Sequence, residues 1–169
     1  MRFKLRPFRS CSWVEELSGQ INLADAAVHI SYALKGDLSN ILLPQEEPSQ
    51  RKDELWRTTC FEFFWRQPDE QSYVEVNLAP AGHWNCYGFT NTRTGMHQSD
   101  VFSLQSIQQR RGADHFMLDA VMKFNGKALQ PAVFGVSSVI AHGNNVSYFS
   151  LEHGDKPDFH NSIYHSLRM

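Results

Sequence analysis

Glu62 and Glu75 stand in two runs, LWRTTCFEFFW and SYVEVNLAPAGHWNCYGF, whose other residues are largely aromatic or branched. Carboxylates in such company, with Asn77 two positions on, can accept hydrogen bonds from hydroxyl groups or act as a paired acid and base. A third run, LEHGDKPDFHNSIYHSL, gathers His153, Lys156, Asp158, Phe159 and His160 around Pro157. A sugar presents apolar C–H faces and a ring of hydroxyls, so a site for one needs a flat aromatic surface edged by fixed donors and acceptors. Trp56 offers the surface, while Glu62, Glu75, Asn77, Lys156 and Asp158 offer the edge. Binding pockets combine an apolar lining with a few placed polar groups in this way. The expectation is a small polyhydroxylated ligand, such as a sugar.

These residues must be positioned by strands, because the dominant hydrophobic period is two. AAVHISYALKG alternates Val28, Ile30, Tyr32 and Leu34 against His29, Ser31, Ala33 and Lys35, the pattern of a half-buried strand. Further strands are expected over 59–66, 72–78, 84–90, 102–109, 116–124, 132–141 and 147–151, separated by turns such as QPDEQ, APAGH and RRGAD. AHGNN between two apolar runs reads as a tight hairpin, since Gly and Asn tolerate positive φ, and it predicts that the strands on either side pair. SNILLPQEEPSQRKDE carries two prolines and many polar residues and reads as a long loop, with at most a short strand at 41–43. The fold class expected is all-β, an antiparallel β-sandwich in one domain of 169 residues.

Face assignment follows from alternation. Phe61, Phe63 and Trp65 are expected in the core, with Glu62 on the other face. Val74, Val76 and Leu78 likewise leave Tyr73, Glu75 and Asn77 opposite, which makes Glu62 and Glu75 neighbours across paired strands. In the next strand Tyr87 and Phe89 are expected inside, leaving Trp84 and Cys86 on the polar face with the carboxylates.

Composition excludes several classes of function. Sixteen basic against 18 acidic residues give a net charge of -2, no field to attract nucleic acid or an anionic membrane. No apolar run approaches the roughly 18 residues of a membrane span. The basic start MRFKLRPFRSCSW lacks the apolar segment of a secretory signal, and three cysteines without a CxxC suit reduced thiols, so a cytoplasmic location is expected.

The runs LWRTTCFEFFW, YVEVNLAPAGHWNCYGF, RTGM and YFSLEHGDKPDFH resemble the bacterial DOMON-like domains, relatives of family 9 carbohydrate-binding modules and of DOMON sugar- and haem-binding domains. The resemblance covers residues 55–167 well and the N-terminal third weakly. It implies a β-sandwich that binds its ligand on or beside one sheet. In the sugar-binding relatives a tryptophan precedes a strand glutamate by six positions, the spacing of Trp56 and Glu62, and forms one wall of an aromatic slot around a terminal sugar. Those relatives carry a basic residue near the position of Glu75 and a second tryptophan in the late Asp- and Pro-containing loop; here Phe159 or His153 takes the place of that second wall.

Two alternatives stay open. Haem-binding relatives use an axial methionine and histidine, for which Met96, Met117 or Met122 with His153 or His160 are candidates. A small enzyme can use Glu62 with Glu75, or His153 with Asp158, as acid and base; directly opposed strand residues have Cβ atoms about 5 Å apart, which suits a retaining glycosidase. No GxSxG, P-loop, Rossmann or HExxH motif is present. No spacing of Cys and His resembles a zinc site, and the GDKPD loop holds too few carboxylates for calcium, so no metal is expected.

Overall fold

The computed structural model describes residues 1–169. It has strands β1 (Arg2–Pro7), β2 (Val14–Ala24), β3 (Ala27–Gly36), β4 (Cys60–Arg66), β5 (Tyr73–Leu78), β6 (Trp84–Phe89), β7 (His97–Gln98), β8 (Phe102–Arg111), β9 (His115–Phe124), β10 (Val133–His142), β11 (Asn145–Ser150) and β12 (Leu167–Arg168), with two single-turn 3-10 segments at Leu55–Arg57 and Ser162–Tyr164. All the strand pairs are antiparallel, in the order β7-β6-β5-β4-β10-β11-β1-β2-β3-β9-β8, with β12 beside β10. β1 bridges the two halves: Arg2–Leu5 pairs with β2, and Arg6 and Pro7 pair with β11. The curled sheet closes on itself as the expected sandwich.

Aromatic side chains meet across its interior. Phe61 of β4 stacks on Phe116 of β9 at 5.8 Å, and Phe63 meets Phe102 of β8 edge to face at 5.5 Å. These rings belong to one continuous core to which both halves contribute. Tyr32 of β3 is fully buried, and its Oη donates a 2.7 Å hydrogen bond across the core to the carbonyl of Glu62. That bond ties the first half of the sandwich to the strand carrying a candidate site residue.

Nearly every expected strand is found within one or two residues of its predicted bounds, and the β10–β11 hairpin turns through Gly143 at φ 54° with His142 opposite Asn145. The expected strand at 41–43 is reduced to a single bridge between Ile41 and His142. Two long elements were not anticipated. β1 buries Phe3 and Leu5 and exposes Arg2, Lys4 and Arg6, an alternation obscured by its basic composition. In β2 a bulge offsets Val14 from the alternation that Leu17, Ile21 and Leu23 carry, and Gly19 leaves a gap in it. We expect Tyr32→Phe to lower stability by about 1 kcal/mol, the usual net value of one buried hydrogen bond, as measured by urea denaturation.

Candidate functional site

The outer face of the half built from β5, β4, β10 and β11 carries the polar groups. Ser137 lies opposite Glu62, which lies opposite Asn77, while Glu75 faces Phe64 on one side and Tyr87 on the other. Glu62 and Glu75 are therefore neighbours across paired strands, as expected, but diagonal ones rather than the directly opposed pair that the enzyme alternative invokes. Loops then cover this face. A cavity of about 430 Å³ remains between sheet and loops, lined by Trp56, Glu62, Glu75, Phe89, Arg93, Met96, Val139, Tyr148, Pro157, Phe159 and His160.

The floor holds both carboxyl groups almost out of solvent, Glu62 at 2% and Glu75 at 5% exposure. Ser137 Oγ donates to Glu62 Oε2 at 2.8 Å, and Asn77 Nδ2 donates to Glu75 Oε1 at 2.8 Å. Apart from Ser137, only the weak Cys60 thiol stands as a side-chain donor to Glu62, and Glu75 Oε2 accepts no hydrogen bond from the protein. Burial pushes both carboxyls well above the ordinary carboxylate range, since desolvation penalises the charged form, and for Glu62 the neighbouring Glu75 adds repulsion.

Tyr73, also on this face, organises one side. Its Oη accepts from the backbone N–H of Arg93 at 3.1 Å and lies 2.7 Å from His160 Nδ1. Burial holds His160 down to about 4, so the ring is neutral near pH 7. Nδ1 is thus engaged with Tyr73, and Nε2 is the ring nitrogen that faces the floor, 3.6 Å from Glu75 Oε2. That His160–Glu75 contact is not an ion pair, because the imidazole carries no charge. Arg93 sits in a tight turn at φ 54°, and its Nε and Nη2 donate to Asp158 Oδ1 at 3.1 and 2.8 Å.

The walls are aromatic. Phe64, Tyr73, Tyr87 and Phe89 form a second, smaller buried cluster against which Trp56 and Phe159 pack. Trp56 is half-buried, edge-on to Tyr87 at 5.4 Å. The loop leading to it is pinned by Arg51, which donates to Asn85 Oδ1 at 2.9 Å, to the carbonyls of Cys86 and Ser99, and to Asp100 at 2.6 Å. Asp53 accepts from Asn85 and Tyr87 at 2.9 and 2.8 Å. The segment expected to be a long loop is thus tied to β6 just before Trp56.

The C-terminal segment roofs the site through His165, which stacks on Phe64 at 4.9 Å and places Nε2 2.9 Å from the Phe159 carbonyl. Gly135 makes room for it: a Cβ there would overlap the His165 ring.

Of the residues singled out from sequence, Trp56, Glu62, Glu75, Phe159 and His160 line the cavity, Asp158 holds Arg93 at its rim, and Asn77 lies beneath the floor, fully buried. Trp84 is elsewhere. The pairing of Trp84 with Leu78 and of Cys86 with Val76 puts both on the core face, with Arg51 5.0 Å over the Trp84 ring. The expected faces of β6 are therefore reversed, because Tyr87 and Phe89 belong to the second cluster and hydrophobicity alone does not distinguish the two cores. His153 lies outside the cavity, against Phe8 at 5.5 Å with Nε2 2.8 Å from the Arg6 carbonyl, and Lys156 is exposed beyond it. Sequence reasoning missed Phe89, Arg93, Val139, Tyr148 and Pro157, and it offered Met96 only as a haem ligand. Arg93 carried a signal, since it opens the RTGM run, whereas the Tyr148 contribution depends on sheet order.

The structure is similar to three solved proteins. One, from Bacteroides uniformis ATCC 8492 and provisionally described as carbohydrate-binding, aligns with a TM-score of 0.65 at 11% identity over 97% of this chain and 84% of its own. A family 9 carbohydrate-binding module from Caldicellulosiruptor kristjanssonii in complex with cellotriose aligns with a TM-score of 0.56 at 8% identity, covering 98% of this chain and 80% of the module. A family 9 module from the same organism in complex with glucose gives 0.53 at 8% identity, covering 94% and 80%. No family model matches the sequence, and no curated protein matches it. The chain thus shares the fold of the family 9 carbohydrate-binding modules.

Two outcomes follow from this geometry. A carboxyl raised in the folded state stabilises below its unfolded value near 4.5 and loses that contribution as pH rises through its folded value. Glu62→Gln should therefore match the parent near pH 4 and exceed its melting temperature by a margin that grows through neutral pH. In that variant the histidines dominate the acid side: with His160 and His165 held down to about 4, stability falls as pH drops from about 6.5 toward 4. Gly135→Ala should cost about 1–3 kcal/mol through overpacking against His165, and limited proteolysis should show faster cleavage within residues 151–166.

Proposed function

We propose that this chain is a carbohydrate-binding domain that holds a small sugar in the 430 Å³ cavity. The observation that carries the reading is the joining, in one concavity, of half-buried aromatic walls at Trp56 and Phe159 with a floor of two carboxyls that each keep an oxygen free of any nitrogen or hydroxyl donor of the protein. Aromatic faces take the C–H surface of a pyranose, and the free carboxyl oxygens and the Arg93 guanidinium take its hydroxyls. The sugars named for the two family 9 modules, cellotriose and glucose, agree with a ligand of this chemical class. In this reading Lys156 and His153 stand outside the contact set, and Trp84 serves packing.

The haem alternative has one observation in its favour, since Met96 and His160 line the same cavity. The imidazole nitrogen left for an axial bond is Nε2, because Nδ1 is engaged with Tyr73 Oη at 2.7 Å, and Nε2 faces Glu75 Oε2 at 3.6 Å. A haem face would also lie over two carboxyls with nothing to offer their free oxygens. The sugar reading leaves both contacts intact.

Isothermal titration with mono- and disaccharides tests the proposal. Trp56→Ala should weaken binding at least about fivefold by removing a stacking surface worth about 1 kcal/mol or more, whereas Trp84→Phe, altered on the opposite face, should bind as the parent does. Equal affinities of the Trp56→Ala and parent proteins would reject this geometry.

A further inference from the structure

When ionised, the two floor carboxyls are not balanced by the charges around the cavity. The groups facing the two floor carboxyls are the Cys60 thiol, the Tyr73 and Tyr87 hydroxyls, the neutral His160 ring and Arg93. Arg93 is the single cation among them, and Asp158 Oδ1 accepts from two of its nitrogens. Asp158 matches Arg93, and two carboxyls remain with no cation of their own. Such groups are costly to bury, and proteins that keep them usually pair them or use them.

The two groups are also placed to act together. As diagonal neighbours on adjacent strands, Glu62 and Glu75 stand about 7 Å apart or a little less at Cβ. Each fixes one oxygen on a neutral donor, Ser137 or Asn77, and leaves the other toward the cavity they line. A group seated between those free oxygens can reach both. Neutral hydroxyls can do so, but an ammonium supplies three donors and the missing positive charge at once. The aromatic lining at Trp56, Phe89, Tyr148 and Phe159 also favours a cation over a second anion.

From this geometry we infer that the site takes an amino sugar, a pyranose bearing a protonated amine that seats between Glu62 and Glu75. The inference rests on the reading of the cavity as a sugar site and names its ligand class. The amine remains a solute and undergoes no covalent step. When it binds, any proton held by the carboxyl pair leaves to solvent, and the ligand charge takes its place.

The test is isothermal titration of the parent protein near neutral pH with glucosamine, galactosamine and mannosamine, each beside its neutral parent hexose and its N-acetyl derivative. At least one hexosamine should bind about tenfold or more tightly than its neutral counterpart, the gain expected of a charge-assisted hydrogen bond, and N-acetylation should remove that gain. In Glu75→Gln and in Glu62→Gln the hexosamine-to-hexose affinity ratio should fall toward one, whatever happens to the affinities themselves. Both substitutions relieve buried charge, so folded variants are expected, and the parent comparison stands without them. Neutral hexoses binding as well as the hexosamines would overturn the amine inference and leave the sugar reading standing. A preference for the amine that persists in both variants would overturn its assignment to the carboxyl pair. Failure of every sugar to bind would overturn the sugar reading together with the inference.

Discussion

Two carboxyl groups set side by side on a sheet face and removed from water are the constraint around which this half of the molecule is arranged. An isolated buried carboxylate is among the most expensive groups a protein can hold, so each one here is met by a neutral donor and raised toward its protonated form. The donor for Glu62 comes from the neighbouring strand, where register puts Ser137 opposite it, and the donor for Glu75 comes from its own strand, where Asn77 two residues on shares its face. A shift of one residue would turn both carboxyls into the aromatic core.

Burial of the floor depends in turn on loops that are anchored from beneath. The C-terminal segment contributes little regular structure, yet His165 packs its ring on Phe64 in the space Gly135 leaves, and Tyr73 holds both His160 and the Arg93 turn. Arg51 performs the same service for the segment before Trp56. The walls of the cavity are thus side chains on short, tethered loops over a rigid floor, an arrangement common where a stable scaffold carries a binding function. The Arg93–Asp158 pair is more than a third exposed on the arginine side, so its contribution to stability is small and its value lies in fixing the rim.

The sandwich has two cores, which explains why aromatic residues occur on both faces of β4 and β6. The larger core joins the two halves through Phe61, Phe63, Phe102 and Phe116, and the smaller one lies under the loops with Phe64, Tyr73, Tyr87 and Phe89. Such a double-sided distribution leaves the period of two visible while blurring which side is inward. The same ambiguity separates a site tryptophan from a packing one: Trp56 lines the cavity and Trp84 covers the main core, though both are partly exposed.

The sequence by itself determined the strands from Ala27 onward apart from the two-residue β7 and β12, the β10–β11 hairpin, and the side of β4 and β5 on which Glu62, Glu75 and Asn77 stand, because alternation and turn chemistry are local properties that survive without neighbours. It also exposed Trp56, Phe159 and His160 as candidates, through their company of placed polar groups. Only the tertiary structure decided that β1 spans both halves, that β6 turns Trp84 inward, and that Arg93, Tyr148 and Met96 meet the carboxyls in one cavity. Those facts depend on strand order, on register and on loops folding back across many residues, and a one-dimensional pattern of hydrophobicity carries none of them. The burial of Glu62 and Glu75 belongs to the same class: a strand shows which way a carboxyl points, but what covers it is supplied by chain more than 75 residues away in Pro157, Phe159 and His160.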